Sequence, residues 1–142
     1  MTGIATVARR GADAFDYHEG GALVLPGGQI LAAERRYLFA ATENGFAVFF
    51  AETPRRLFHR VAVIPVGANL IGDATHLCGD DRYDSRYEFR AVGEFLIAHR
   101  VRGPRKRYDM VTRYSRPLRR WQSGARPRSM ARILTRRQDD GG

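Results

Sequence analysis

In 142 residues the chain has one cysteine, one tryptophan and one lysine, and each scarcity excludes something. A lone Cys78 cannot form an internal disulfide, so nothing points to an oxidising compartment. Long apolar runs are missing too. The longest, Val61 to Gly72, is broken by Pro65, Gly67 and Asn69 and is too short to span a bilayer. The segment Met1 to Arg9 lacks the apolar core of a secretion signal. A cytoplasmic protein without a membrane span is therefore the expectation. Helical periodicity is also wanting, because no stretch of three turns through residue 116 keeps an apolar stripe.

What is plentiful is arginine, and its distribution matters more than its number. The formal net charge is +9. Residues 1–114 hold 16 basic and 13 acidic side chains, a net of +3, whereas residues 115–142 hold 8 and 2, a net of +6. The body is nearly balanced and the excess sits at the C-terminal end. Contact with nucleic acid or another acidic partner, including acidic lipid, is thus expected only through that segment, where Trp121 also lies. Residues 117–142, basic and rich in small and breaking residues, read as a flexible tail in which 129–137 forms a short helix on contact with a partner.

Residues 1–116 alternate like β-strands. From Tyr83 to Ala91 the odd positions are Tyr83, Ser85, Tyr87, Phe89 and Ala91, and the even ones Asp84, Arg86, Glu88 and Arg90. Tyr108, Met110, Thr112 and Tyr114 repeat the pattern, with Asp109 and Arg113 opposite. Strands are expected near 4–9, 14–19, 22–25, 30–41, 46–51, 56–64, 74–78, 83–91, 94–102 and 107–115. A loop or single helical turn is expected at 68–74. Pro26-Gly27-Gly28, Glu43-Asn44-Gly45 and Gly103-Pro104-Arg105-Lys106 supply turn chemistry between strands. The fold class read from this is all-β: an antiparallel up-and-down barrel of about eight to ten strands, with an inward face that is aromatic but studded with hydroxyls.

Several blocks carry a resemblance: Tyr17-x-Glu19-x-Gly21, Arg35-Arg36-Tyr37, Phe58-His59, His76-x-Cys78-x-x-Asp81-x-Tyr83-x-x-x-Tyr87-x-Phe89, and Gly103-Pro104-Arg105-Lys106-x-Tyr108-x-x-x-Thr112-x-Tyr114-x-Arg116. In combination they resemble an uncharacterised bacterial and fungal family, catalogued as domain of unknown function 6314, over roughly residues 3–116. The resemblance implies a calycin-like (lipocalin-like) β-barrel and supplies no activity. It also implies a further first strand with a Gly-x-Trp element, after which this sequence starts, and an aromatic residue where His99 stands. An open seam would then be closed by an upstream start, by the tail, or by a second subunit in a homodimer.

The residues expected near an interior ligand are Tyr17, Arg35, Tyr37, His59, His76, Cys78, Asp81, Tyr83, Tyr87, Tyr108, Thr112, Tyr114 and Arg116. Rings would supply apolar surface, while hydroxyls and arginines would orient a partly apolar guest, an anionic one included. Glu19 and Arg35 are equally readable as a structural ion pair. Arg105 and Lys106 form a candidate anion-binding turn, against the plainer reading of a solvated hairpin. His76 and Cys78 share a strand face, and with Asp81 they offer acid-base chemistry for an enzyme of the same fold. His76 and Cys78, with inward-facing His59 and His99 nearby, also offer imidazole and thiolate ligands for a soft metal or haem, but a lone His-x-Cys is unspecific. No cofactor and no metal are expected, and whether a reaction is catalysed is not legible.

Overall fold

The computed structural model describes residues 2–25, 27–115 and, as backbone, 129–139. It contains ten strands and, among the described residues, no helix. In chain order they are β1 (Thr2–Arg9), β2 (Ala14–Val24), β3 (Ile30–Thr42), β4 (Gly45–Phe50), β5 (Leu57–Val66), β6 (Asn69–Cys78), β7 (Asp81–Phe89), β8 (Glu94–Arg102), β9 (Arg107–Ser115) and β10 (Ser129–Asp139). Each pairs antiparallel with its sequence neighbours, and β10 pairs with β1 to close the barrel. Up-and-down order puts the β1–β2, β3–β4, β5–β6 and β7–β8 turns at one end, called lower here. The β2–β3, β4–β5, β6–β7 and β8–β9 turns lie at the upper end.

The expected strands are present, with three differences. The break expected between 19 and 22 does not occur, because Gly20 and Gly21 lie inside β2. A Cβ on Gly21 would strike the Thr2 carbonyl and the Gly3 Cα, so this glycine serves close approach of β1 and β2 rather than a turn. The loop expected at 68–74 is instead the start of β6, since Ile64↔Ile71 and Pro65↔Leu70 pair across a tight turn whose Gly67 has φ +61°. The helix expected at 129–137 is a strand: Ser129–Val7 through Leu134–Thr2 pair on one side, and Arg132–Ser115 through Asp139–Tyr108 on the other. Two unpaired edges flanking one gap offer backbone donors and acceptors to any strand of matching length, which overrides the segment's local polarity. Of the expected tail, residues 116–128 and 140–142, and with them Arg116, lie outside the described residues.

The interior is organised in two levels. At the lower end, Tyr17, Phe39, Phe46, Phe89, Phe95 and Tyr114 form a closed cycle of ring contacts, with centroids 4.1 to 6.2 Å apart. This cycle plugs the barrel. Ala5, Val61, Tyr87 and Ile97 complete the buried core beside it. Toward the upper end the inward side chains become polar and half-exposed, and Arg35, Tyr37, Phe58, His76, Tyr83, His99, Tyr108 and Met110 all have intermediate burial.

Candidate functional site: a polar cup above an aromatic floor

The floor of the upper cup is a buried carboxylate. Strict alternation along β2 puts Glu19 on the same face as Tyr17, and only 2% of it is exposed. A carboxylate taken from water without partners costs many kcal/mol, so its surroundings have to supply donors. The Tyr17 hydroxyl donates to Glu19 Oε2, and the Tyr114 hydroxyl donates to the same oxygen at 3.0 Å. Arg35 Nε lies 3.4 Å from Oε1, its guanidinium 39% exposed toward the mouth. The two phenol oxygens are 2.9 Å apart, but each carries one proton and both protons go to the carboxylate. Burial above all, with the Glu19 charge adding to it, raises both phenols far above their ordinary range and keeps them as donors.

Three imidazoles occupy the wall opposite, on β5, β6 and β8. His59 is 4% exposed, and its Nε2 lies 2.6 Å from the Tyr87 hydroxyl. Its other ring nitrogen, Nδ1, is buried and has no hydrogen-bond partner among the described residues. Burial, with the nearby His99 and His76 adding to it, lowers the His59 pKa to about 4. His99 Nδ1 meets Ser85 Oγ at 2.8 Å, and burial followed by the Arg35 charge lowers that imidazole to about 4 as well. Both rings are therefore neutral at pH 7, when each can donate from one nitrogen and accept at the other. His76 sits among rings, 4.9 Å from Phe58, 6.2 Å from Phe50 and 6.5 Å from Tyr83.

Tyr37 and Phe58 stack at 6.0 Å with their planes 15° apart, giving the cup a flat apolar wall. Between that wall and the floor is a partly open cavity of about 20 Å³, lined in part by Tyr17, Glu19, Arg35, Tyr37, Tyr87 and Tyr114. That volume takes one water-sized occupant. Anything larger has to sit higher, among the half-exposed side chains of the mouth.

The expected site residues divide accordingly. Tyr17, Arg35, Tyr37, Tyr87 and Tyr114 line the cavity together, with His59 and Thr112 buried beside it. His76, Tyr83 and Tyr108 stand higher on the inward face, half-buried. Cys78 and Asp81 are cross-strand partners at the rim, where Cys78 is exposed. Asp81 Oδ2 is engaged by Lys106 Nζ at 2.7 Å, so this pair, rather than a His76–Asp81 contact, occupies the rim carboxylate. Asp81 also raises the Lys106 pKa. Arg105 is exposed at the turn beside it. Among the described residues no cluster of three or more His, Cys, Asp or Glu is arranged to hold a metal ion.

The set expected from the sequence to line a ligand leaves out Glu19 (read there only as a partner of Arg35), His99 (read only as a metal-ligand candidate), Phe50 and Phe58. The signal for Glu19 was available, because a carboxylate two residues after Tyr17 on an alternating strand must face inward with it. Phe58 carried no such signal, because the register between β4 and β5 shifts after Val48.

A family model covering residues 1–116 matches the sequence that builds this cup and its plug. The chain belongs to DUF6314, a family of unknown function. No curated protein and no solved structure matches it. The DUF6314 match ends at residue 116, so β10, which closes the barrel, lies beyond the matched region. Among the described residues no helix is long and apolar enough to cross a membrane.

Proposed function

We propose that this DUF6314 barrel is a cytoplasmic, calycin-like carrier that binds a small, partly apolar molecule in the upper cup, with a flat polar or anionic group directed toward the floor. The observation that carries the reading is His59 Nδ1, a buried ring nitrogen left without a partner among the described residues. Leaving such a group unpaired costs about 1–3 kcal/mol, a cost that a guest or a bound water removes. Three further features favour a guest. The Tyr37–Phe58 wall suits a flat apolar body. Arg35 is held on one side by Glu19 and remains over a third exposed, so its fork can take a carboxylate or amide oxygen from above. His76 and His99 add two further imidazoles on strands β6 and β8. A single exposed Cys78 suits a reducing compartment.

Native mass spectrometry of gently purified protein tests the reading, because a retained guest reports its own mass. A panel of small aromatic and aliphatic acids in a thermal-shift assay provides the second arm. The expected result is a stoichiometric adduct, or a melting temperature raised by at least one acid in the wild type and much less in Arg35→Gln. A protein that carries no adduct, and that no member of the panel stabilises, overturns the reading.

A further inference from the structure

The hairpin joining β2 and β3 outgrows the barrel. Among the described residues β1 pairs with β2 only as far as Thr2↔Ala22, and β4 pairs with β3 only from Tyr37↔Phe50 onward. Residues Leu23–Val24 and Ile30–Leu31 therefore form a two-stranded arm held solely by its own ladder, at the same upper end as the cup. Its tip is apolar on both faces. Leu23 pairs with Leu31 on one face and Val24 with Ile30 on the other. Val24 is 62% and Ile30 68% exposed, and Leu23 and Leu31 are exposed as well. A solvated hairpin keeps at least one polar face, and this tip has none. At its end Leu25 N–H donates to the Gln29 carbonyl at 2.9 Å and Gly28 N–H to the Leu25 carbonyl at 3.0 Å.

Basic residues stand on the other upper turns. The adjacent β4–β5 turn presents Arg55 and Arg56, and the β8–β9 turn across the mouth presents Arg105, Lys106 and Arg107, against Glu52, Asp80 and Asp81. Arg56 is closed by Glu52 at 2.8 Å and Lys106 by Asp81 at 2.7 Å. Arg55 and Arg105 are exposed at the turns, and no carboxylate among the described residues pairs with either. The lower end also shows apolar residues, Ile64, Val66 and Leu70. Its described turns carry Glu43, while Arg10 and Arg90 are closed by Asp16 and by Glu88 and Glu94. Val92 on the β7–β8 turn is 80% exposed as well, and Arg9, exposed at the β1–β2 turn, meets only the Ala12 carbonyl. Among the described residues, an apolar hairpin with an exposed, carboxylate-free arginine on the adjacent turn occurs only at the upper end, where Arg55 on β4–β5 lies next to β2–β3.

We propose that the β2–β3 arm docks the barrel on an anionic membrane surface. Val24, Ile30, Leu23 and Leu31 enter the acyl boundary while Arg55 and Arg105 meet lipid phosphates, which turns the mouth of the cup toward the bilayer. A bilayer is favoured over a protein groove because the tip is apolar all round and offers no polar face to match. A positive fringe beside an apolar wedge is complementary to a headgroup layer lying over hydrocarbon. The proposal uses surface residues only, and it stands or falls separately from any ligand in the cup.

The test is flotation of the full chain with vesicles of phosphatidylcholine alone and of phosphatidylcholine mixed with phosphatidylglycerol. Wild type is expected on the mixed vesicles and not on the neutral ones, with partition falling as salt is raised. Val24→Asp/Ile30→Asp changes exposed positions and is expected to weaken partition at least tenfold. Arg55→Ser/Arg105→Ser should weaken it as well, and Ile64→Asp at the other end should leave it unchanged. Wild type that ignores anionic vesicles, or a tip variant that binds like wild type, overturns the proposal. So does loss of binding in Ile64→Asp alone, or a tip substitution that only splits a dimer. Should the double variant fail to fold, Ile30→Trp replaces it. Its emission, after subtraction of wild type, must shift to the blue on anionic vesicles, and an unmoved spectrum overturns the docking.

Discussion

Acid should destabilise this barrel through its buried histidines well before its carboxylates titrate. His59 and His99 each have a folded-state pKa of about 4 against an ordinary 6.5, depressed mainly by burial. The unfolded chain therefore binds more protons than the native one between those values. Stability is complete above about pH 6.5, falls as pH drops through the window, and levels off below about pH 4. For one such histidine the loss by about pH 5 is roughly 2 kcal/mol, rising to roughly 3 kcal/mol at the bottom of the window. The two losses are not independent, because His99 contributes to the His59 shift. A combined loss of about 3–4 kcal/mol by about pH 5 is a large fraction of the roughly 5–15 kcal/mol that holds a domain folded. Urea unfolding at about pH 7.5, 6 and 5 reads it directly, and His59→Phe serves as the comparator. That variant loses the Tyr87 hydrogen bond and starts less stable, so the quantity to compare is the slope against pH. The slope should fall by about half. A wild type equally stable across this range, or a variant with the wild-type slope, would refute the claim that these imidazoles are buried neutral.

Tyr114→Phe removes one of two phenol donors from Glu19 and should cost about 1–3 kcal/mol in thermal or chemical unfolding. A change within error would mean that the carboxylate is solvated. Gly72→Ala places a Cβ against the Val61 side chain and the Ala62 carbonyl, so it should destabilise by about 1–3 kcal/mol, whereas the same change at Gly20, where nothing lies within 4 Å, should be mild. Equal melting temperatures for the two variants would contradict the packing described. Deleting residues 129–142 leaves β1 and β9 as open edges along the whole seam, and light scattering should show dimers or aggregates where the full chain is monodisperse. A monomeric, cooperatively melting truncation would show that β10 is dispensable.

Alternation along Tyr83–Ala91 and Tyr108–Tyr114 was enough to define the all-β class, the meander and the face each residue presents, because period two is a local property of a strand. It was also enough to place Tyr17, Arg35, Tyr37, His59 and Tyr87 on the inward surface. Local pattern could not say that Gly20 and Gly21 continue a strand, since only the neighbouring β1 backbone shows why position 21 has no side chain. Nor could it show that Ser129–Asp139 fills the seam, because the edges that recruit it lie at opposite ends of the chain. Tertiary structure alone decided which inward residues meet. Glu19 with Tyr114, and His59 with Tyr87, are 95 and 28 positions apart, and the barrel's closure and register bring them within hydrogen-bonding distance. The hollow's size follows from the same cause, because ring packing across the barrel fixes the space left over and no single strand encodes it.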